Sequence, residues 1–301
     1  MELRFWEKVD AKDPAQLKAY LDQYPKGAFV ALARAKLAQA SPPTAVAAPA
    51  PKTPVLAAVE PTATATAPSP ADAARAAAIE AASKGEDAFR AKDYLEAMRL
   101  WRLAANQGVG AAAFRVGLLY ADGLGVPRDY TQAMPWYRMA AAKGNTKAEN
   151  NLGNLYNYAR GVPQDYAEAM RWYRLAAEKG NAEAEDSLGF MFARGHGVAQ
   201  DYVEAARWYR LSVDKDNSQA QFNLGVLYRD GQGVDLDYKE AARLFRLSAE
   251  QGLAAGQYAL GLLYAHGRGV DEDLVQARFW IGKAAAQDNE FAQQWLARNN
   301  H

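Results

Sequence analysis

Apolar side chains fall at Tyr166, Ala169, Met170, Tyr173, Ala176 and Ala177, with polar residues between them. Steps of three and four place this set on one face of an α-helix. Asp165 supplies an N-cap, Glu168 completes an acidic capping box, and Gly180 supplies the stop. A second amphipathic stretch covers 182–193, with Ala184, Leu188 and Phe192 on its buried side. Gly189 lies in its interior, where glycine costs about 1 kcal/mol relative to alanine. That placement predicts a neighbouring helix too close to admit a side chain. Gly195-His196-Gly197-Val198 then turns the chain before the next Asp-Tyr pair.

The pattern repeats. Asp93, Asp129, Asp165, Asp201, Asp237 and Asp273 are each 36 residues apart. Ala97, Ala133, Ala169, Ala205, Ala241 and Ala277 keep the same register, as do Gly117, Gly153, Gly189, Gly225 and Gly261. Arg102, Arg138, Arg174, Arg210 and Arg246 form another column. Each period predicts two antiparallel helices that cannot bury their apolar faces alone and must stack on their neighbours. The predicted fold class is all-α, an α-solenoid built as a superhelix of stacked antiparallel helix pairs, with a small N-terminal helical module.

The motif is Ala-x-x-x-Leu-Gly-x-x-Tyr, then Gly-x-Gly-Val, then Asp-Tyr-x-x-Ala-x-x-Trp-Tyr. Leu152-Gly153-x-x-Tyr156, Leu224-Gly225-Val226-Leu227-Tyr228 and the Trp136-Tyr137, Trp172-Tyr173 and Trp208-Tyr209 pairs carry it best. These residues resemble the Sel1-like repeat (SLR) family, a relative of the tetratricopeptide repeat. In the family's phase the units span 109–144, 145–180, 181–216, 217–252 and 253–288. Residues 71–108, with a shorter and more tetratricopeptide-like connection, read as an opening cap, and 289–301 as an end cap. The resemblance implies a non-catalytic scaffold or adaptor for protein–protein interaction, gripping a protein or peptide on the concave face. It also admits two alternatives: a secreted or periplasmic hydrolase, and a helical-repeat RNA binder.

Two further regions precede the solenoid. Residues 1–40 read as short helices: Phe5, Trp6 and Val9 make an apolar stripe, and Asp13-Pro14 starts a helix through Leu17, Tyr20 and Leu21. This stretch resembles a short Phe-Trp helical motif of bacterial multidomain proteins. Residues 41–70 hold 8 of the chain's 13 prolines, with Lys52 and Glu60 as their only charges. That composition predicts a flexible Pro/Ala/Thr-rich linker.

Charge and composition then narrow the chemistry. The 301 residues contain 35 basic and 35 acidic side chains and no cysteine. The solenoid region, 71–301, has 27 basic and 29 acidic residues, a poor field for nucleic acid. Absent cysteine removes thiolate metal sites and cysteine nucleophiles and counts against the cysteine-rich, hydrolytic members of the family. The Gly-x-Gly loops recur as turns, with no preceding strand and no Gly-Lys-Ser/Thr, so they are not phosphate loops. His196 and His266 share no ligand spacing. No cofactor, metal site or catalytic residue is expected. The arginine column, with Arg171, Arg207 and Arg243 nearby, predicts ion pairs with Glu168-type residues. The charged start Met1-Glu2-Leu3-Arg4 predicts cytoplasmic residence; a signal upstream of Met1 would instead place the chain in the periplasm. No stretch reaches the ~20 apolar residues of a membrane span.

Recurring columns are scaffold, and columns that vary on an exposed helix face are free to specify a partner. One such line is Phe114, Asn150, Asp186, Phe222 and Tyr258; a second is Leu118, Asn154, Phe190, Val226 and Leu262. Asn157 and Arg229 belong to a third. The partner-binding candidates are therefore Asn150, Asn154, Asn157, Asp186, Phe190, Phe222, Arg229 and Tyr258.

Overall fold

The computed structural model describes residues 13–23 and 69–299. The chain divides near residue 65 into two units, each described by itself. In the first, α1 (Pro14–Gln23) begins where the Asp-Pro signal predicts. The Asp13 carboxylate accepts from the Ala15 amide at 2.9 Å, and Leu17 is buried. The other predicted helices of 1–40 and nearly all of the 41–70 linker lie outside the described residues.

The second unit is a tandem array of helix pairs. Its first two helices are α2 (Pro70–Arg90) and α3 (Tyr94–Asn106). The five pairs that follow are α4 (Gly110–Asp122) with α5 (Tyr130–Ala141), α6 (Thr146–Asn157) with α7 (Tyr166–Ala177), α8 (Ala182–Arg194) with α9 (Tyr202–Val213), α10 (Ser218–Asp230) with α11 (Tyr238–Glu250), and α12 (Ala254–His266) with α13 (Leu274–Ala285). The last helix is α14 (Glu290–Arg298). Each helix packs chiefly on its predecessor and successor, as in a solenoid. We call the first helix of each pair A and the second B.

Every B helix is capped as predicted. The carboxylates of Asp93, Asp129, Asp165, Asp201, Asp237 and Asp273 accept backbone amides in the first turn. The reciprocal half of the capping box is absent in the five full repeats. The Asp165 amide donates instead to the Tyr156 carbonyl at 3.1 Å, tying the loop to the end of the A helix, and its counterparts do the same. Glu168 turns outward to Arg171 at 2.6 Å.

The interior glycines have the predicted steric cause. A Cβ on Gly117, Gly153 or Gly189 would stand 2.5 Å from the ring of Tyr137, Tyr173 or Tyr209 in the same pair. Phe245 and Ile281 fill that place in the last two pairs. The tyrosine of each Trp-Tyr pair is thus a buried packing ring, its position set by the missing side chain opposite. Gly233, at φ +68°, lies in a loop whose added Cβ would meet the Tyr202 backbone at 2.2 Å, so this turn requires glycine for both conformation and space.

Candidate functional site

The arginine columns separate into two structural roles, and one expectation is corrected. Arg99, Arg171, Arg207 and Arg243 do pair with the glutamate three residues earlier. The column Arg102, Arg138, Arg210 and Arg246 does not: each guanidinium donates to a tyrosine hydroxyl 18 residues on, at 2.9, 2.9, 3.2 and 2.6 Å. For these four the motif tyrosine at the end of the next A helix lies within reach, whereas Glu168 and its counterparts are already engaged by the other column; opposite Arg174 that place is taken by Phe192, and the bond is not made. Apart from Arg174, both columns are occupied in holding the array together.

Burial divides the candidate residues, and two of them are not on an exposed face. Asn150 and Asn157 are only 8% and 4% exposed, although the variation of their columns predicts an exposed face. The physical reason is that A helices of successive pairs stand close: Asn223 of α10 donates to Asp186 of α8 at 2.9 Å. Asn154 accepts from the Tyr173 hydroxyl at 2.7 Å, so it orients that ring. The aromatic candidates keep exposed edges. Phe222 tilts against Phe245 with centroids 5.7 Å apart, and Tyr258 stacks on Phe291 at 6.3 Å. Arg229 pairs with its neighbour Asp230 at 2.6 Å.

Five of the eight candidates line two adjoining clefts. Asn157, Asp186 and Phe190 border one of about 310 Å³ over α6 and α8. Phe190, Phe222 and Arg229 border another of about 490 Å³ between α8 and α10. Phe190 and Asn223 belong to both, so the two are compartments of one groove along the A helices. Asn150, Asn154 and Tyr258 line neither.

The compartments differ in charge. Asp186 is the only charged side chain in the smaller one, and burial raises its carboxyl to about 6. The larger one is lined by Arg194 and Arg229, without an acid. Arg194 lies over the Phe190 ring at 5.7 Å, and His196 meets that ring edge-on at 5.6 Å while stacking on Tyr166. His196 therefore packs among rings.

The groove also contains residues the column argument passed over: Tyr158, Ser187, Arg194 and Asn223. Their columns vary as well. Positions 115, 151, 187, 223 and 259 read Arg, Asn, Ser, Asn, Ala, and positions 122, 158, 194, 230 and 266 read Asp, Tyr, Arg, Asp, His. Variation one step further around the A helix was the available signal.

The Sel1 repeat family model matches residues 71–109, 110–145, 146–181, 182–217, 218–253 and 254–289. It thus counts 71–109 as a first repeat, where the sequence reading sets an opening cap. A Sel1 repeat protein from Oxalobacter formigenes is similar to this chain at 34% identity, over 71% of this chain and 88% of its own, with a TM-score of 0.67. A protective antigen present in uropathogenic Escherichia coli strains, which displays an SLR fold, is similar at 39% identity over 72% of this chain, with a TM-score of 0.64. This chain spans 47% of the length of that antigen. No curated protein matches significantly.

Proposed function

The chain belongs to the Sel1 repeat family, and from that premise we propose that it is a non-catalytic scaffold that grips an extended peptide segment of a partner in the groove over α6, α8 and α10. Sel1 repeat proteins are generally protein-interaction scaffolds, and their solenoid fold is typically non-catalytic. The observation that carries the choice of face is the groove itself. Its walls carry A-helix columns that change from repeat to repeat, at Asp186, Phe190 and Phe222, set beside recurring residues such as Tyr173 and Tyr209 that also make internal contacts. A line of stacked A helices offers a partner a long surface with a polar floor and aromatic edges, which suits an extended chain.

The test is a selection of phage-displayed random dodecapeptides on the full chain, followed by affinity measurement on variants. Peptides from this selection should bind Phe190→Ser and Arg229→Glu about tenfold more weakly than the unmodified chain, the loss of one interfacial anchor. Phe279→Ser, on an exposed B-helix position away from the groove, should bind them normally. Peptides indifferent to both groove variants but sensitive to Phe279→Ser would move the site to the other face.

A further inference from the structure

We infer that the compartment around Asp186 is a pocket for a cationic side chain, the lysine or arginine of a bound partner. The inference rests on the reading of the groove as a peptide site and gives that site its chemistry.

Three observations carry it. The first is a contrast among acids. Glu149 and Glu185 are buried where the two helices of a pair meet, and each receives a lysine from the end of the other helix, Lys179 and Lys215. Asp186 is adjacent to Glu185 in sequence but faces the cleft, and no basic side chain among the described residues pairs with it. Its one hydrogen bond comes from the neutral Asn223 amide, at 2.9 Å. A carboxylate drawn out of water is stabilised by an opposite charge, and here the open side of the pocket is the direction from which one can come.

The second observation is the wall. Tyr158, Tyr173 and Phe190 border the same space, and rings are attractive surfaces for ammonium and guanidinium groups. The rings of this face already attract cations: Arg160 lies 5.2 Å from the Tyr158 centroid and Arg194 lies 5.7 Å from that of Phe190. Neither arginine pairs with Asp186. A volume of about 310 Å³ admits a side chain with the first atoms of its backbone.

The third is the column. The equivalent positions in the other pairs are Phe114, Asn150, Phe222 and Tyr258, so stacking does not call for an acid there. An isolated carboxylate has been placed where the fold accepts a neutral residue.

The groups that face Asp186 set its pH behaviour. They are Tyr173 on α7, Tyr209 on α9, which feels both the Asp186 and Arg194 charges, and Asn223 and Gln219 on α10. The tyrosine hydroxyls are raised by burial and stay neutral at ordinary pH. Asp186 is therefore the group that titrates, with its carboxyl near 6. Cation binding should be full at pH 7.5 and about fourfold weaker at pH 5, where roughly a tenth of the carboxyl remains ionised and the rest binds as the neutral Asp186→Asn pocket does.

The experiment uses the full chain with N-acetyl-L-arginine methylamide as probe and its neutral isostere N-acetyl-L-citrulline methylamide as control, followed by NMR titration. Saturable binding of the arginine probe is expected, with shifts at Tyr158, Ser187 and Phe190. Citrulline, and the arginine probe on Asp186→Asn, should each bind about fivefold more weakly or worse, the scale of one ion pair. Tyr158→Ala alters a ring that is 54% exposed, leaves the fold intact and should weaken binding a few-fold. No saturable shift, or equal binding to Asp186→Asn, overturns the inference. The dodecapeptide selection separates the two readings. Groove-dependent peptides without a basic preference keep the scaffold reading and remove the cationic pocket. Arginine binding without groove-dependent peptides keeps the pocket and removes the peptide groove.

Discussion

At the scale of single residues, Asp186 links binding to stability. Burial lifts its carboxyl from the ordinary 3.8 to about 6, so the folded chain holds a proton that the unfolded chain releases. Below about pH 4 both states are protonated and the group is neutral to stability. As pH rises through about 6 the folded state must ionise a partly buried acid, and stability falls by an amount on the order of 1–3 kcal/mol, then stays level. The usual aspartate, with a lowered folded value, does the opposite. Asp186→Asn should therefore raise the melting temperature at pH 7.5 by a few degrees and leave it unchanged at pH 3.5. An equal shift at both values, or a lower melting temperature at pH 7.5, would show that the carboxylate has a compensating partner. The column comparison found Asp186 from sequence, because it breaks a run of aromatic and amide residues. Its burial was not legible, since that depends on Asn223, which approaches from the next pair. Asn150 failed in the same way: a polar letter on a variable column reads as exposed until the neighbouring helix is in place.

Between elements, a second set of contacts fixes how the two helices of one pair seat on each other. Lys179 reaches Glu149, Lys215 reaches Glu185, Gln251 donates to Gln221 at 2.9 Å, and Gln287 donates to Gln257 at 2.9 Å. These are one site in four successive helix pairs, ionic in two and neutral in two. The glutamate ends are buried, and one oxygen of Glu149 and of Glu185 has no hydrogen-bond partner among the described residues. Removing the lysine alone strands a buried charge, so Lys179→Met should destabilise by roughly 2–4 kcal/mol. The double variant Glu149→Gln/Lys179→Gln copies the later interfaces and should return to within about 1 kcal/mol of the unmodified chain, because both partners are then neutral and matched. Urea unfolding of the three proteins decides it; a double variant as weak as the single one would mean that the pair's charge, and not its mutual satisfaction, supports the interface. The helices themselves were legible: six aspartate caps and the glycine-ring contacts follow directly from the 36-residue register. The Lys–Glu contact was hidden because its partners are 30 residues apart, a spacing that acquires meaning only once the two helices of a pair lie against each other. The joint change from Lys with Glu to Gln with Gln was the trace it left in the sequence.

Over the whole solenoid, stability is a sum of neighbouring contacts, and its distribution follows from which helices have two neighbours. The central helices α6 and α11 bury seven and six residues. The last helix, α14, buries only Ala292, and the 21-residue α2 buries three residues, none before Ala78. A solenoid without long-range contacts opens from its ends, since a terminal helix is released by breaking one interface and a central one requires two. Hydrogen exchange at neutral pH should therefore grade along the chain. Amides of α6 to α11 should exchange only through the deepest openings, while those of α14 and the first half of α2 should exchange at least tenfold faster, equivalent to about 1.4 kcal/mol less local stability. The groove lies within the slow region, which keeps its walls in register for a partner. Asp186→Asn should leave that gradient unchanged, because it removes a local charge and no interface, whereas Lys179→Met should raise exchange on both sides of the α6–α7 contact. Uniform protection from α2 to α14 would contradict the sum-of-neighbours picture and require a single cooperative core, which neither the 36-residue repeat nor the sequential helix packing supplies.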